Sequence, residues 1–152
     1  MTKKLKHIDT KLLIEVFGTE HEIICEMIDV FTTIVAEYHD EINNRYNSKN
    51  WFELGLVAHK AKASCKTMGL RKLGDCLNKI ENNAKGIAYN ELSSGRNLSE
   101  DNEKLYKAML REGQTSGDNR IIEEEITYLQ NNFTEAIDEI KMFEKNIDKY
   151  LR

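Results

Sequence analysis

The spacing of apolar residues in the last third of the chain constrains the fold most strongly. Apolar side chains there alternate steps of three and four, which is the pattern of a helix face that packs against other helices. The chain also has no proline and only eight glycines in 152 residues, whereas β-sandwiches and barrels need turn residues at every strand end. The sequence therefore predicts an all-α fold. The residues of this last helical face are Ile122, Ile126, Leu129, Phe133, Ala136, Ile140, Phe143, Ile147 and Tyr150.

Two helices are expected in the first third of the chain. The first is short and covers residues 9–17, with Asp9 as its N-cap and Gly18 as its stop. The second is long and begins near Thr19, where Glu22 would complete a capping box. We expect one stripe of this helix to face inward, formed by Ile23, Met27, Phe31, Ile34, Tyr38, Ile42 and Tyr46.

Two central helices are expected next, over residues 51–68 and 71–88, with Gly69 as the break between them. The inward residues of the second of these are Leu73, Leu77, Ile80, Ala84 and Ile87. Residues 89–118 contain two turn-rich stretches and are expected to form an insertion on the surface before the last helix, residues 119–150. The chain would then be one domain, an up-down-up-down four-helix bundle with a short N-terminal helix and a helical insert before the last helix. The bundle would comprise residues 8–88 and 119–152, and the helical piece of the insertion residues 99–111.

Composition and charge exclude several classes of function. A net charge of -4 does not favour binding to the negatively charged backbone of a nucleic acid. No window approaches the roughly 20 uninterrupted apolar residues of a membrane span, and the basic start leads into no apolar signal region, so we expect a cytoplasmic protein. The apolar helix faces are expected to pack within the chain, which favours a monomer. The cysteines, Cys25, Cys65 and Cys76, are odd in number and lack a C-x-x-C pair, which favours reduced thiols.

Residues 54–74 form a basic segment in this acidic protein. They contain no Asp or Glu, although these two residue types make up 26 of the 152 positions. On a helical wheel, the small and apolar residues of the third helix form one stripe, and His59 lies nearly opposite it, facing water. The basic residues are Lys60, Lys62, Lys66, Arg71 and Lys72, and the inward stripe is Leu54, Val57, Ala58, Ala61, Cys65 and Met68.

An exposed imidazole beside ammonium groups is chemically suited to carrying a phosphoryl group. Nearby positive charge disfavours the imidazolium form, so the ring stays neutral and nucleophilic near pH 7. Lys62 at i+3 and Lys66 at i+7 lie on the flank of His59, where they would stabilise the oxygens of a phosphoryl group. No glycine-rich phosphate loop and no kinase signature is present, so we expect a phosphate carrier and not an ATP-dependent enzyme.

A docking surface for a partner protein is expected beside His59. Phe52 and Leu56 fall on the outward face of the helix and would form an apolar patch rimmed by lysines. Lys60 and Ala63 complete this surface, and the small side chain of Ala63 leaves the ring uncovered.

Residues 58–74, which read AHKAKASCKTMGLRKLG, resemble the active-site helix pair of histidine-containing phosphotransfer (HPt) domains. That family's pattern is approximately A-H-x-L-K-G-S-A-x-x-[LVI]-G, and the likeness continues to residues 80–81. By this resemblance His59 is the phosphoacceptor, Lys62 is its charge partner, and Gly69 separates the two helices. The departures are alanines at positions 61 and 63, where the family has leucine and glycine or serine.

The resemblance implies a function in a two-component phosphorelay. His59 would accept a phosphoryl group from the aspartate of one receiver domain and pass it to another. The implied partners are response-regulator receiver domains and a hybrid sensor histidine kinase. No cofactor is expected, because the Mg²⁺ of such a transfer belongs to the acidic pocket of the receiver.

Two other interpretations compete with a relay. A helical interaction module could keep the same fold and bind receiver or kinase domains without phosphotransfer. A metal-carrying bundle is disfavoured, because the four histidines form no Glu-x-x-His pair and no other repeated ligand pattern. The relay interpretation requires the His59 ring to stand free in solvent; a ring sealed in the interior, or held by a carboxylate or a metal, would overturn it.

Overall fold

The computed structural model describes residues 7–93, 103–104, 107–108 and 117–150. Over these residues the chain is all-α and contains no strand, as predicted. None of the helices described there has the length and apolar character needed to cross a membrane. The helices are α1 (Thr10–Phe17), α2 (His21–Asn47), α3 (Trp51–Thr67), α4 (Arg71–Ser93), α5 (Asn119–Lys145) and α6 (Ile147–Tyr150).

The four long helices share one apolar core. Helix α2 packs against α3 and α5, helix α4 packs against the same two helices, and α1 contacts α2. The inward stripes predicted for α3 and for most of α4 and α5 are buried, so these predictions are confirmed. Removal of this apolar surface from water is the main term that stabilises such an assembly. Examples of fully buried side chains from the four helices are Ile28, Leu54, Leu77, Ile126 and Ile140.

The inward face of α2 differs from the predicted one. Its capping box is also absent, because the N-cap is Glu20 and makes no side-chain hydrogen bond to the helix. In the first half of α2 the apolar residues occur in consecutive pairs. Their spacing alone therefore fits either of two adjacent faces of the helix as the one that packs against the core. In the structure the inward face of α2 consists of Ile24, Ile28, Phe31, Val35 and Ile42. Ile23, Met27 and Ile34, which were predicted to face inward, are exposed.

Asp9 both caps α1 and ties the start of the fold to the turn between α3 and α4. Asp9 caps α1 as predicted, its carboxylate accepting a hydrogen bond from the backbone N–H of Leu12 at 3.1 Å. The backbone N–H of Asp9 donates to the carbonyl of Gly69 at 3.0 Å. Gly69 has a φ of +73°, and a Cβ there would lie 2.9 Å from the Asp9 carbonyl oxygen. Gly69 is therefore the break after α3, as predicted, and only glycine fits there without strain.

The segment between α4 and α5 is shorter than the predicted insertion of residues 89–118. Helix α4 continues to Ser93 and so includes the first residues assigned to the insertion. At the other end, Asp118 caps α5, and its backbone N–H donates to Oδ1 of Asn83 on α4 at 2.9 Å. Residues 103–104 and 107–108 are helical, and the rest of the helix expected at 99–111 lies outside the described residues.

Replacing Ile24 by alanine is expected to lower the free energy of unfolding by about 2–4 kcal/mol, because a buried side chain leaves a cavity when truncated. Ile24 is 1% exposed, whereas the adjacent Ile23 is 43% exposed. Ile23→Ala should therefore change the free energy of unfolding by less than about 1 kcal/mol. Urea denaturation of both variants measures the difference. A loss for Ile23→Ala equal to or greater than that for Ile24→Ala would contradict the inward face described for α2.

Candidate functional site

His59 lies on the outward side of α3, as the helical wheel predicts. The neighbouring Ala58 and Ala61 are fully buried, whereas the side chain of His59 is 59% exposed. These small residues on the inward side let α3 lie close to the core, and the imidazole points away from it toward solvent and the edge of α4.

A buried carboxylate from α4 holds the ring of His59. Nδ1 of His59 lies 2.7 Å from Oε1 of Glu81, a hydrogen-bond distance for charged partners. An ionised carboxylate can only accept, so Nδ1 donates the hydrogen. The neutral ring then has its lone pair on Nε2, for which the described residues provide no hydrogen-bond partner. The site therefore presents one free, exposed ring nitrogen.

The requirement that no carboxylate hold the His59 ring is not met, because Glu81 contacts Nδ1 at 2.7 Å. It did not distinguish the two ring nitrogens, which have different neighbours here. A carboxylate at Nδ1 fixes the tautomer and the orientation of the ring, as it does in catalytic and metal-binding histidines. Glu81 therefore holds the His59 ring through Nδ1 and leaves Nε2 without a partner among the described residues.

Lys62 turns inward to the same carboxylate, so it does not lie on the solvent-exposed flank that the sequence predicted. Its Nζ is 2.9 Å from Oε1 of Glu81 and 3.2 Å from Oδ1 of Asn78, and its side chain is only 18% exposed. Lys85, one turn along α4, places its Nζ 3.4 Å from Oε2 of Glu81. Gly55 gives Lys85 room, since a Cβ at that position would lie 3.1 Å from Cγ of the lysine.

These neighbours determine the ionisation of Glu81. Burial raises its pKa, but the hydrogen bonds from Lys62 and His59 and the charge of Lys85 lower it by more. The net pKa lies below the usual value of a glutamate. Glu81 is therefore ionised at neutral pH and remains available as the acceptor for Nδ1.

The remaining basic residues of α3 lie on its surface. Lys66 is exposed, and its aliphatic stem crosses Gly74 of α4, where an added Cβ would lie 2.8 Å from its Cγ. Lys60 is also exposed. Both lysines keep an ammonium group at the surface of the helix that bears His59, whereas Lys62 does not.

The apolar surface beside His59 differs from the predicted patch. Phe52 is half-buried and packs against the core, and Leu56 is half-buried as well. Ala63 is exposed as expected, and it borders a groove of about 270 Å³ between α2 and α3. The groove was missed because Met27 and Ile34 had been assigned to the core. Its lining residues are Phe17, Met27, Val30, Phe31, Ile34, Ala63, Ser64, Thr67 and Met68.

The surroundings of His59 do not suit a cation. Glu81 is the carboxylate in contact with the ring, and two ammonium groups already surround it. A cluster of ligating groups that could hold a metal ion lies elsewhere, where His7 meets Glu135 and Glu139.

Replacing Glu81 by glutamine is expected to lower the free energy of unfolding by about 1–3 kcal/mol at pH 7, because Lys62 and Lys85 lose their buried counter-charge. The folded-state pKa of Glu81 lies below its ordinary value of 4.5. Its stabilising contribution is therefore complete above that pH and is lost as the pH falls through the folded-state pKa. The stability gap between wild type and variant should shrink as the pH falls below 4.5.

Urea denaturation at several pH values measures this gap. Glu123→Gln, which changes an exposed carboxylate on α5, is the matched control and should show a small effect with little pH dependence. A gap for Glu81→Gln that does not change with pH would contradict the assigned ion cluster.

Comparisons with protein-family models, with curated proteins and with solved structures found no match to this chain. What the chain does must therefore be inferred from its own residues, above all from His59 and the groups that hold its ring.

Proposed function

We propose that the chain is a phosphorelay carrier, in which Nε2 of His59 accepts a phosphoryl group from the aspartyl phosphate of a receiver domain and passes it to a second receiver. The observation that supports this most is the hydrogen bond from Nδ1 of the exposed ring to the buried, ionised Glu81. This bond fixes the tautomer and leaves Nε2 where another protein can reach it. The chemistry also fits the resemblance of residues 58–74 to HPt domains.

The transfer needs no proton movement at this site. The lone pair of Nε2 attacks phosphorus while the bond between phosphorus and the aspartate oxygen breaks, and the donor carboxylate leaves with the electron pair. Nδ1 keeps its hydrogen, so the product is a phosphorylated imidazolium. The Glu81 carboxylate, 2.7 Å from Nδ1, balances the positive charge that the ring acquires. Attack by a second aspartate on phosphorus reverses these changes and restores the neutral ring.

Lys62 acts in this proposal as a positioning residue through Glu81. Its Nζ contacts the same carboxylate oxygen as the imidazole, and with Lys85 it keeps Glu81 ionised. The exposed Lys60 and Lys66 are the cations of α3 that remain available to a phosphoryl group or to an acidic receiver surface.

We also propose that the four long helices form the up-down-up-down bundle expected from the sequence. Three residues connect α2 to α3, and three connect α3 to α4. Connections this short favour antiparallel neighbours. The carrier would act in the cytoplasm as a monomer, with a hybrid sensor kinase upstream and without a cofactor of its own.

The groove between α2 and α3 is the docking surface that we propose for the receiver. It exposes Met27 and Ile34, and such a cluster of apolar side chains on a surface is typical of interaction sites. Ala63 lines the groove and stands one helical turn from His59, so a receiver seated there has its phosphoryl group within reach of the ring.

Incubation with phosphorylated receiver domains of the same cell tests the proposal. The wild type should acquire a label that is acid-labile and base-stable, as phosphohistidine is, and His59→Gln should acquire none. His21→Gln, which changes an exposed histidine on α2, should be labelled like the wild type. Label retained by His59→Gln would contradict the site. Absence of label with every receiver would contradict the function and favour an interaction module that binds without phosphotransfer.

A second pair of variants tests the docking surface in the same assay. Met27→Lys places a charge in the groove and should slow transfer about tenfold or more, equivalent to about 1.4 kcal/mol of lost binding, with the fold intact. Val16→Lys changes an exposed apolar residue that does not line the groove and should transfer at the wild-type rate. Equal rates for the two variants would contradict docking in the groove.

A further inference from the structure

His7 lies just before α1, and its imidazole is buried without a hydrogen bond. Its side chain has no solvent exposure, and neither Nδ1 nor Nε2 has a hydrogen-bond partner among the residues that the structure describes. Burial of polar nitrogens costs free energy unless they gain partners. The burial of this ring without hydrogen bonds therefore points to a bound ligand that contacts a nitrogen atom of the ring.

Two carboxylates from α5 face the ring of His7. Glu135 and Glu139 stand four residues apart on one face of the helix. Nε2 of His7 is 3.6 Å from Oε1 of Glu135 and 3.8 Å from Oε2 of Glu139. Both distances exceed those of an N–H···O hydrogen bond. The other oxygen of Glu139 accepts a hydrogen bond from the backbone N–H of His7 at 2.8 Å, which orients this carboxylate beside the ring.

The spacing of these groups matches that of ligands around a small metal ion. Two ligand atoms of a tetrahedral Zn²⁺, each at about 2.0–2.1 Å from the metal, are about 3.3 Å apart. The ligand atoms of His7, Glu135 and Glu139 all lie within 4.8 Å of one another. The distances from Nε2 of His7 to the two carboxylates, 3.6 and 3.8 Å, exceed the tetrahedral separation by a few tenths of an ångström. The widest separation of up to 4.8 Å must close by about 1.5 Å, which rotation of the half-exposed Glu135 side chain can supply. Glu135 is 52% exposed, which gives the ion a path from solvent.

We propose that Nε2 of His7 and one carboxylate oxygen each from Glu135 and Glu139 bind a divalent transition-metal ion such as Zn²⁺, with water as the fourth ligand. The two carboxylates neutralise the charge of the ion. The imidazole favours Zn²⁺ over Mg²⁺ and Ca²⁺, which prefer oxygen ligands.

The ion joins the segment before α1 to α5, parts of the chain that are separated by more than 120 residues. Its role is structural, because it holds the start of the fold against the last long helix. The site shares no residue with His59 and Glu81, so it does not depend on phosphotransfer.

Calorimetric titration of the tag-free protein with Zn²⁺, after removal of metals with a chelator, tests this site. The wild type should bind one Zn²⁺ per chain at the assigned residues and show a higher melting temperature with Zn²⁺ present. Glu135→Gln changes a half-exposed side chain and should keep the fold while weakening Zn²⁺ affinity at least tenfold. Glu124→Gln, an exposed carboxylate on the same helix, should bind like the wild type.

Two further variants exclude other places where Zn²⁺ could bind. Sγ of Cys25 lies 3.7 Å from Nδ1 of His21, and His59 lies beside Glu81. Cys25→Ser and His59→Gln should both retain wild-type affinity. Absence of Zn²⁺ binding at micromolar concentrations, unchanged affinity in Glu135→Gln, or loss of binding in Cys25→Ser would overturn the proposal.

Discussion

The hydrogen bond between Nδ1 of His59 and Glu81 is the interaction on which the proposed phosphotransfer depends. A buried carboxylate is unfavourable by itself, since desolvation opposes its charge. Lys62, Lys85 and the imidazole compensate this cost together, and they lower the pKa of Glu81 below its usual value. Because Glu81 stays ionised, the ring has one preferred tautomer and one free nitrogen. The tautomer and orientation of an exposed side chain are thus determined by the cluster of charges around the buried Glu81 on the neighbouring helix.

Small residues make this arrangement possible. Ala58 and Ala61 are fully buried on the inward side of α3, and helices with small side chains at their contact can approach closely. The side chains of His59 and Lys62 can then both reach Glu81 on α4. Glycines on both helices also leave space for the side chains of the flanking lysines. Gly55 leaves room for Lys85, and Gly74 leaves room for Lys66.

The all-α class and the inward faces of α3, α4 and α5 could be predicted because each of these helices has one apolar stripe. The inward face of α2 could not be predicted, because neighbouring positions such as Ile23 and Ile24 are equally apolar. Only packing against other helices decides which of the two is buried. Because α2 packs with the face of Ile24 inward, Met27 lies at the surface and not in the expected core, and it lines the groove beside Ala63.

The exposure of His59 followed from the helical wheel, but its partner did not. Glu81 lies 22 residues away on another helix, and its burial and pairing depend on how α3 and α4 pack. The same packing turns Lys62 inward, whereas its sequence position four residues before Lys66 suggested a shared exposed flank. The meeting of His7 with Glu139 is a contact across 132 residues, which no local pattern reveals.

Nitrogen-15 NMR of the protein labelled in its histidine rings tests most directly whether Glu81 holds His59 with a free Nε2. In its neutral form the wild-type His59 should be protonated on Nδ1 and unprotonated on Nε2, and Glu81→Ala should lose this single preference. In the phosphorylated protein, coupling to phosphorus should appear at Nε2. A His59 protonated on Nε2 in the wild type, or phosphorus bonded to Nδ1, would contradict this account.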